Sequence, residues 1–114
     1  MAKPLVSVIE STSYLAAARK LLSETERESV VDLLAADPEC GDVIRRGGGI
    51  RKVRIPLAGR GKSGGARVIY YFHSGAIPLL LITVFAKSAT SDLADAQVAQ
   101  LAKAVKIYAK EWSR

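Results

Sequence analysis

Ten residues near the middle of the chain, Ile77 to Ala86 (IPLLLITVFA), are apolar almost throughout, and they narrow the possible folds more than any other segment. The run is interrupted by Pro78 and falls well short of the about 20 residues a membrane helix needs. It reads instead as a strand buried on both faces, at the centre of a sheet. The rest of the chain must supply neighbours and cover for it.

Those neighbours can be read off the flanking pattern. Ala66 to His73 forms a strand before it, and Arg51 to Ile55 an earlier one, with turn residues at Ser74-Gly75 and a glycine-rich loop at Gly59–Gly65 between them. Leu5 to Glu10, with β-branched Val6, Val8 and Ile9, predicts a short first strand. Ser11, Thr12 and Ser13 are competent N-caps for a helix over Tyr14–Leu22. Ser23-Glu24-Thr25-Glu26 is a capping box for a second helix, carrying Val30, Val31, Leu33 and Leu34 and ending near Asp37-Pro38. A last helix, capped by Ser91 or Asp92, shows Val98, Leu101, Val105, Tyr108 and Trp112 along one stripe. The expected class is α+β, in the order βααβββα: a four-stranded, mainly antiparallel sheet with its helices on one face and the other face open. At 114 residues the chain, 1–114, reads as one domain.

Charge is as segregated as hydrophobicity. Residues 1–42 hold four cations against eight acids, whereas residues 43–91 hold nine cations and no acid. The last block, 92–114, is nearly balanced, and the net charge is +6. A stretch of 49 residues without Asp or Glu, in a chain that has eleven, suggests a polyanionic partner. Alternation gives this stretch a direction. Lys52 and Arg54 share one face of their strand, and Val53 and Ile55 the other. Arg67, Ile69, Tyr71 and His73 form one row of the next strand, and Val68, Tyr70 and Phe72 the other. Packing Val53, Ile55, Val68, Tyr70 and Phe72 against the helices gathers Lys52, Arg54 and Arg67 on the open side.

Other chemistry is thin. One cysteine (Cys40) and one histidine (His73) leave no multi-cysteine or zinc site, and no metal or cofactor is expected. The N-terminus has no apolar stretch suited to a signal peptide, so a cytoplasmic location with no membrane association is expected. Gly59-Arg60-Gly61-Lys62-Ser63-Gly64 fits G-x-G-x-x-G, but a strand follows it where dinucleotide and Walker motifs need a helix. It is better read as a hairpin loop whose Arg60 and Lys62 can follow a phosphate chain. Tyr71 is the tyrosine placed to stack on a base. His73 is a reserve acid, or simply an exposed strand-end residue.

The succession of a helical pair, Gly49-Ile50-Arg51-Lys52-Val53-Arg54, a Gly/Lys/Arg loop, Ala66-Arg67-Val68-Ile69-Tyr70-Tyr71 and an apolar strand ending Phe85-Ala86-Lys87 resembles the RelE/HigB branch of type II toxins over nearly the whole chain. The resemblance implies a ribosome-dependent mRNA endonuclease, acting on mRNA in the ribosomal A site against ribosomal RNA. It also implies a cognate antitoxin, of the helix-turn-helix, HigA-like kind, through which alone operator DNA is contacted. Carried over by position, Lys52 and Arg54 fall on the basic pair of one strand, Arg67 on the basic residue opening the next, and Lys87 on the basic residue after the last. Where family members carry an arginine after that lysine and a tyrosine further on, this chain has Ser88-Ala89-Thr90-Ser91.

The expected catalytic set is thus Lys52, Arg54, Arg67 and Lys87, with Arg45, Arg46, Arg51, Arg60, Lys62, Tyr71 and His73 as RNA or phosphate contacts. Crowding of Lys52 by Arg51, Arg54 and Arg67 disfavours its charged form and makes it the candidate base. Two other readings share these features. A ParE-like gyrase poison of the same fold would damage DNA without cutting transcripts. A non-catalytic RNA- or ribosome-binding module would bind with strong salt dependence and turn nothing over.

Overall fold

The computed structural model of the protein describes residues 5–57, 65–87 and 92–112. In chain order the elements are β1 (Val8–Glu10), α1 (Thr12–Leu21), α2 (Glu24–Ala36), β2 (Asp42–Val43), β3 (Ile50–Ile55), β4 (Ala66–Tyr71), β5 (Leu79–Ala86) and α3 (Asp95–Trp112). The cap signals of the first two helices hold. Ser11 Oγ accepts from the Tyr14 amide at 3.0 Å and donates to the Ile82 carbonyl at 3.1 Å, fixing the start of α1 on β5. Ser23 and Glu26 form the reciprocal capping box, with Glu26 Oε1 accepting from the Ser23 amide at 2.8 Å and Ser23 Oγ from the Glu26 amide at 3.1 Å.

The α+β class is as expected, but the sheet has five strands, in the order β1-β5-β4-β3-β2. The added strand is β2, whose two residues carry no alternation to be read. It forms because the chain reverses over residues 44–50, where the Ile44 amide donates to the Ile50 carbonyl at 2.9 Å. Gly49 closes that reversal at φ 111°, and a Cβ there would lie 2.9 Å from the Tyr71 ring, so glycine alone fits. β1 runs parallel to β5 and the remaining pairs are antiparallel. The apolar β5 is an interior strand, as its sequence demands, although β4 holds the centre.

The expectation of helices on one face is overturned. Tyr14, Ala18, Leu22, Val30 and Leu34 of the α1–α2 segment pack with Ile55, Val68, Tyr70, Leu79, Leu81 and Val84 on one side of the sheet. Val98 and Val105 of α3 pack with Ile50, Tyr71 and Ile77 on the other, with Leu80, Ile82, Leu101 and Tyr108 around them. The physical reason lies in β4 and β5, both of whose side-chain rows are apolar over much of their length and need cover twice. α3 supplies the second cover and leaves only part of that face open. Among the described residues, no helix is long and apolar enough to cross a membrane.

Candidate functional site

The open part of the α3 side lies where β3 ends and β4 begins. Register pairs Arg54 directly with Arg67, and Lys52 with Ile69. Directly paired residues of an antiparallel ladder project to the same side, so Lys52, Arg54 and Arg67 share one face, as alternation predicts. Phe85 of β5 is the next partner of Arg67, completing the row. The ladder continues to Lys87, whose amide donates to the Gly65 carbonyl at 3.1 Å, and this sets Lys87 at the same end of the sheet. Arg54 is exposed and Arg67 half-buried. Arg67 Nε is buried with no hydrogen-bond partner among the described residues.

One member of the group has a partner the sequence did not suggest. Asp92 Oδ2 accepts from Lys52 Nζ at 2.8 Å, across 40 positions of sequence. The helix that follows does not use this aspartate as its cap. Ala94 holds that position, with its amide donating to Gln97 Oε1 at 2.8 Å, while Asp92 Oδ1 accepts from the Leu93 amide at 2.9 Å. The hydrogen bond from Lys52, then that from the Leu93 amide, hold the Asp92 carboxyl below its ordinary value of 3.8, and Arg67 adds a smaller pull in the same direction. Lys52 is therefore not crowded by cations alone, and the ground for reading it as a base is weakened.

Several expected contacts lie elsewhere. Arg51 is on the opposite face of β3, where Nη1 donates to the Gly41 carbonyl at 2.9 Å and the Glu39 carbonyl at 3.1 Å, with Glu39 Oε2 3.7 Å from Nη2. It holds the 39–41 loop and does not join the other three. Tyr71 is on the expected side but is only 4% exposed, covered by α3 and in edge-to-face contact with Tyr108 at 6.0 Å. Its reading as a base-stacking platform is corrected: the same apolar row that suggested a platform called down a helix. His73 is exposed, but it lies six residues along from Arg67, about 20 Å at the strand rise of about 3.3 Å. Arg45 and Arg46 are exposed in the β2–β3 reversal, at the Ile50 end of β3 and away from Arg54. Arg60 and Lys62 lie outside the described residues.

A hollow with mostly acidic walls lies on the other side of the molecule. A cavity of about 480 Å³ is lined by Glu10, Glu24, Arg27, Glu28, Val31 and Asp32, and its four carboxylates make it repellent to a phosphate chain. At the edge of the α3 side, two guanidinium groups, an ammonium paired with the Asp92 carboxylate and a second lysine at the strand end form a cationic surface. Such a surface can grip and neutralise a phosphodiester, since a guanidinium offers two parallel donors to its oxygens.

Comparison with known proteins agrees with this architecture. Over 88% of this chain and 96% of the other, the fold is similar to that of a double arginine-to-alanine variant of the E. coli toxin RelE in the free state, with a TM-score of 0.57 at 19% identity. A family model, the RelE toxin of the RelE/RelB toxin–antitoxin system, matches residues 11–113. The chain therefore belongs to the RelE toxin family and is the toxin of a toxin–antitoxin pair.

Proposed function

We propose that this toxin is an endoribonuclease that cuts mRNA in the ribosomal A site, using the face shared by Lys52, Arg54, Arg67 and Lys87. The observation that carries the reading is the direct pairing of Arg54 with Arg67, with Lys52 on the same side. Like charges placed opposite each other weaken a sheet. An arrangement that costs stability is explained by an anion that binds between the two guanidinium groups.

RNA brings its own nucleophile, so the chemistry asks for orientation and charge rather than a metal. The 2′-oxygen attacks the adjacent phosphorus and loses its proton, the bond to the 5′-oxygen breaks, and that oxygen takes up a proton. Arg54 and Arg67 hold the two non-bridging oxygens and stabilise their added charge, with each donor worth about 2.7–4 kcal/mol in comparable sites. Lys52 meets the same phosphate or its neighbour. Lys87, at the end of the ladder, stands beside the leaving group as proton donor or anchor. The cognate antitoxin is a helix-turn-helix protein of the HigA kind, and operator DNA is met only through it.

Induction of this chain without its antitoxin, followed by mapping of mRNA 5′ ends, tests the reading. New ends inside reading frames are expected, and they should vanish with growth arrest in Arg67→Ala and Lys52→Ala while antitoxin binding persists. Growth arrest with intact transcripts and DNA damage would place the activity on gyrase instead. Full toxicity in both variants would remove the site.

A further inference from the structure

The two acids that border the long acid-free stretch both return to one side chain. Asp42 is the register partner of Lys52 across the β2–β3 pair, and Asp92 is in contact with its ammonium. Neither Arg54 nor Arg67 has an acid at its register position, since these two face each other and Phe85 comes next. The basic face is thus polarised along its length, with both acids centred on Lys52 and only the weaker pull between Asp92 and Arg67 reaching the other end.

The Asp92 carboxylate presents to Lys52 what a phosphate would, an anionic oxygen at 2.8 Å. The first turn of α3 is closed by Ala94 and Gln97, and not by Asp92. Its side chain is 52% exposed and that of Lys52 28%, so this is a surface ion pair of the weak class. A weak pair in a place where a polyanion must sit can be exchanged for it.

We infer that Asp92 is a resident substitute for an RNA phosphate on Lys52, displaced by the backbone when RNA binds. This rests on the reading of the face as an RNA site. Asp92 then sets the affinity of the free toxin for RNA. The Arg54–Arg67 end receives the chain first, and the Lys52 end is filled only by a phosphate able to compete with a tethered carboxylate. The toxin gives up some affinity for arbitrary RNA and keeps Lys52 for a strand already held at Arg54 and Arg67.

The test uses a short single-stranded RNA made uncleavable by 2′-O-methyl groups, and measures its dissociation constant as a function of salt for wild type and Asp92→Asn. The variant is expected to bind about fivefold tighter at low salt, the upper range for release of one exposed pair. Its plot of log K against log salt should steepen by up to about 0.7, the value of one further phosphate contact on a single strand. The gain should largely disappear when Lys52 is also changed to Ala, and Asp42→Asn, which removes one charge without removing the contact, should give a clearly smaller gain.

Equal binding by wild type and Asp92→Asn overturns the inference and leaves the RNA reading intact. So does a gain that survives in the Lys52→Ala background or is matched by Asp42→Asn, since the effect is then net charge alone. Loss of cleavage in Asp92→Asn with unchanged binding also overturns it, by making Asp92 part of the chemistry. Absence of RNA binding by the wild type at low salt removes both readings together.

Discussion

Replacing Arg67 by methionine should make this protein more stable and inactive at once. Methionine keeps most of the arginine stem and its packing but removes the charge. Arg67 lies opposite Arg54 in the β3–β4 ladder, where paired Cβ atoms are about 5 Å apart. Two charges about 6 Å apart repel by about 0.7 kcal/mol at the dielectric of water and about 3 kcal/mol at an effective value of 20. Because Arg54 is exposed, the lower figure governs, and about 0.7–1 kcal/mol is returned when one charge goes. The buried Nε adds to this, as a donor without a partner costs about 1–3 kcal/mol, partly relieved here by the exposed end of the side chain. A net gain of about 1–2 kcal/mol follows, or about 4–8 °C in Tm for a domain near this size. Thermal and urea unfolding of wild type and Arg67→Met measure it directly. Inorganic phosphate supplies the second half of the experiment: it should raise the Tm of the wild type by binding the native form alone, and leave Arg67→Met nearly unmoved. A variant that is less stable than wild type, or one that phosphate protects equally, would refute the reasoning that the arginine pair is strained for the sake of an anion.

Two further outcomes concern the scaffold. Tyr70 Oη accepts from the Gly41 amide at 2.9 Å and donates to the Pro38 carbonyl at 2.8 Å, tying the loop after α2 to the sheet. Tyr70→Phe strands both backbone groups and should cost about 2–3 kcal/mol in urea unfolding, while transcript cleavage persists at temperatures where the variant is folded. Burial pushes the hydroxyls of Tyr14 and Tyr70 up to about 12 from an ordinary value of 10. The unfolded chain therefore ionises first, so stability is fully present below pH 10 and falls between pH 10 and about 12. A melting temperature that does not decline over that range would contradict the burial of both rings.

Much of this fold is visible in the residues, and what escapes has identifiable physical causes. The capping box at Ser23 and Glu26 is a local device, complete within four residues, and it forms as read. The strand faces follow from a period of two, which no distant contact can alter, so Lys52, Arg54 and Arg67 come to one side as alternation requires. Strand β2 escapes because two residues hold no period, and its pairing depends on a chain reversal whose glycines signal a turn but not its exit direction. The contact between Lys52 and Asp92 spans 40 positions and depends on where α3 begins, which a choice of Ser91 or Asp92 as cap misplaces.

The position of α3 shows how a correct pattern can still lead to a wrong face. The stripe Val98, Leu101, Val105 and Tyr108 says that one side of the helix is buried, and it is, but a helical period does not name the surface that buries it. That surface is named by the sheet. In β4 the row holding Arg67 continues as Ile69 and Tyr71, both almost fully buried, so an open face could extend only to the Arg67 end of the strand. Ile50 beside Tyr71, and Leu80 and Ile82 on β5, extend the same apolar patch. The apolar half of the Arg67 row requires a cover, and α3 supplies it once α1 and α2 fill the first side. The same division explains the site. The row changes from apolar to cationic between Ile69 and Arg67, so the helix covers one half and ends its lead-in at the boundary, where Asp92 meets Lys52. Placement of the covering helix and confinement of the cationic face are thus one consequence of how a single strand divides its residues.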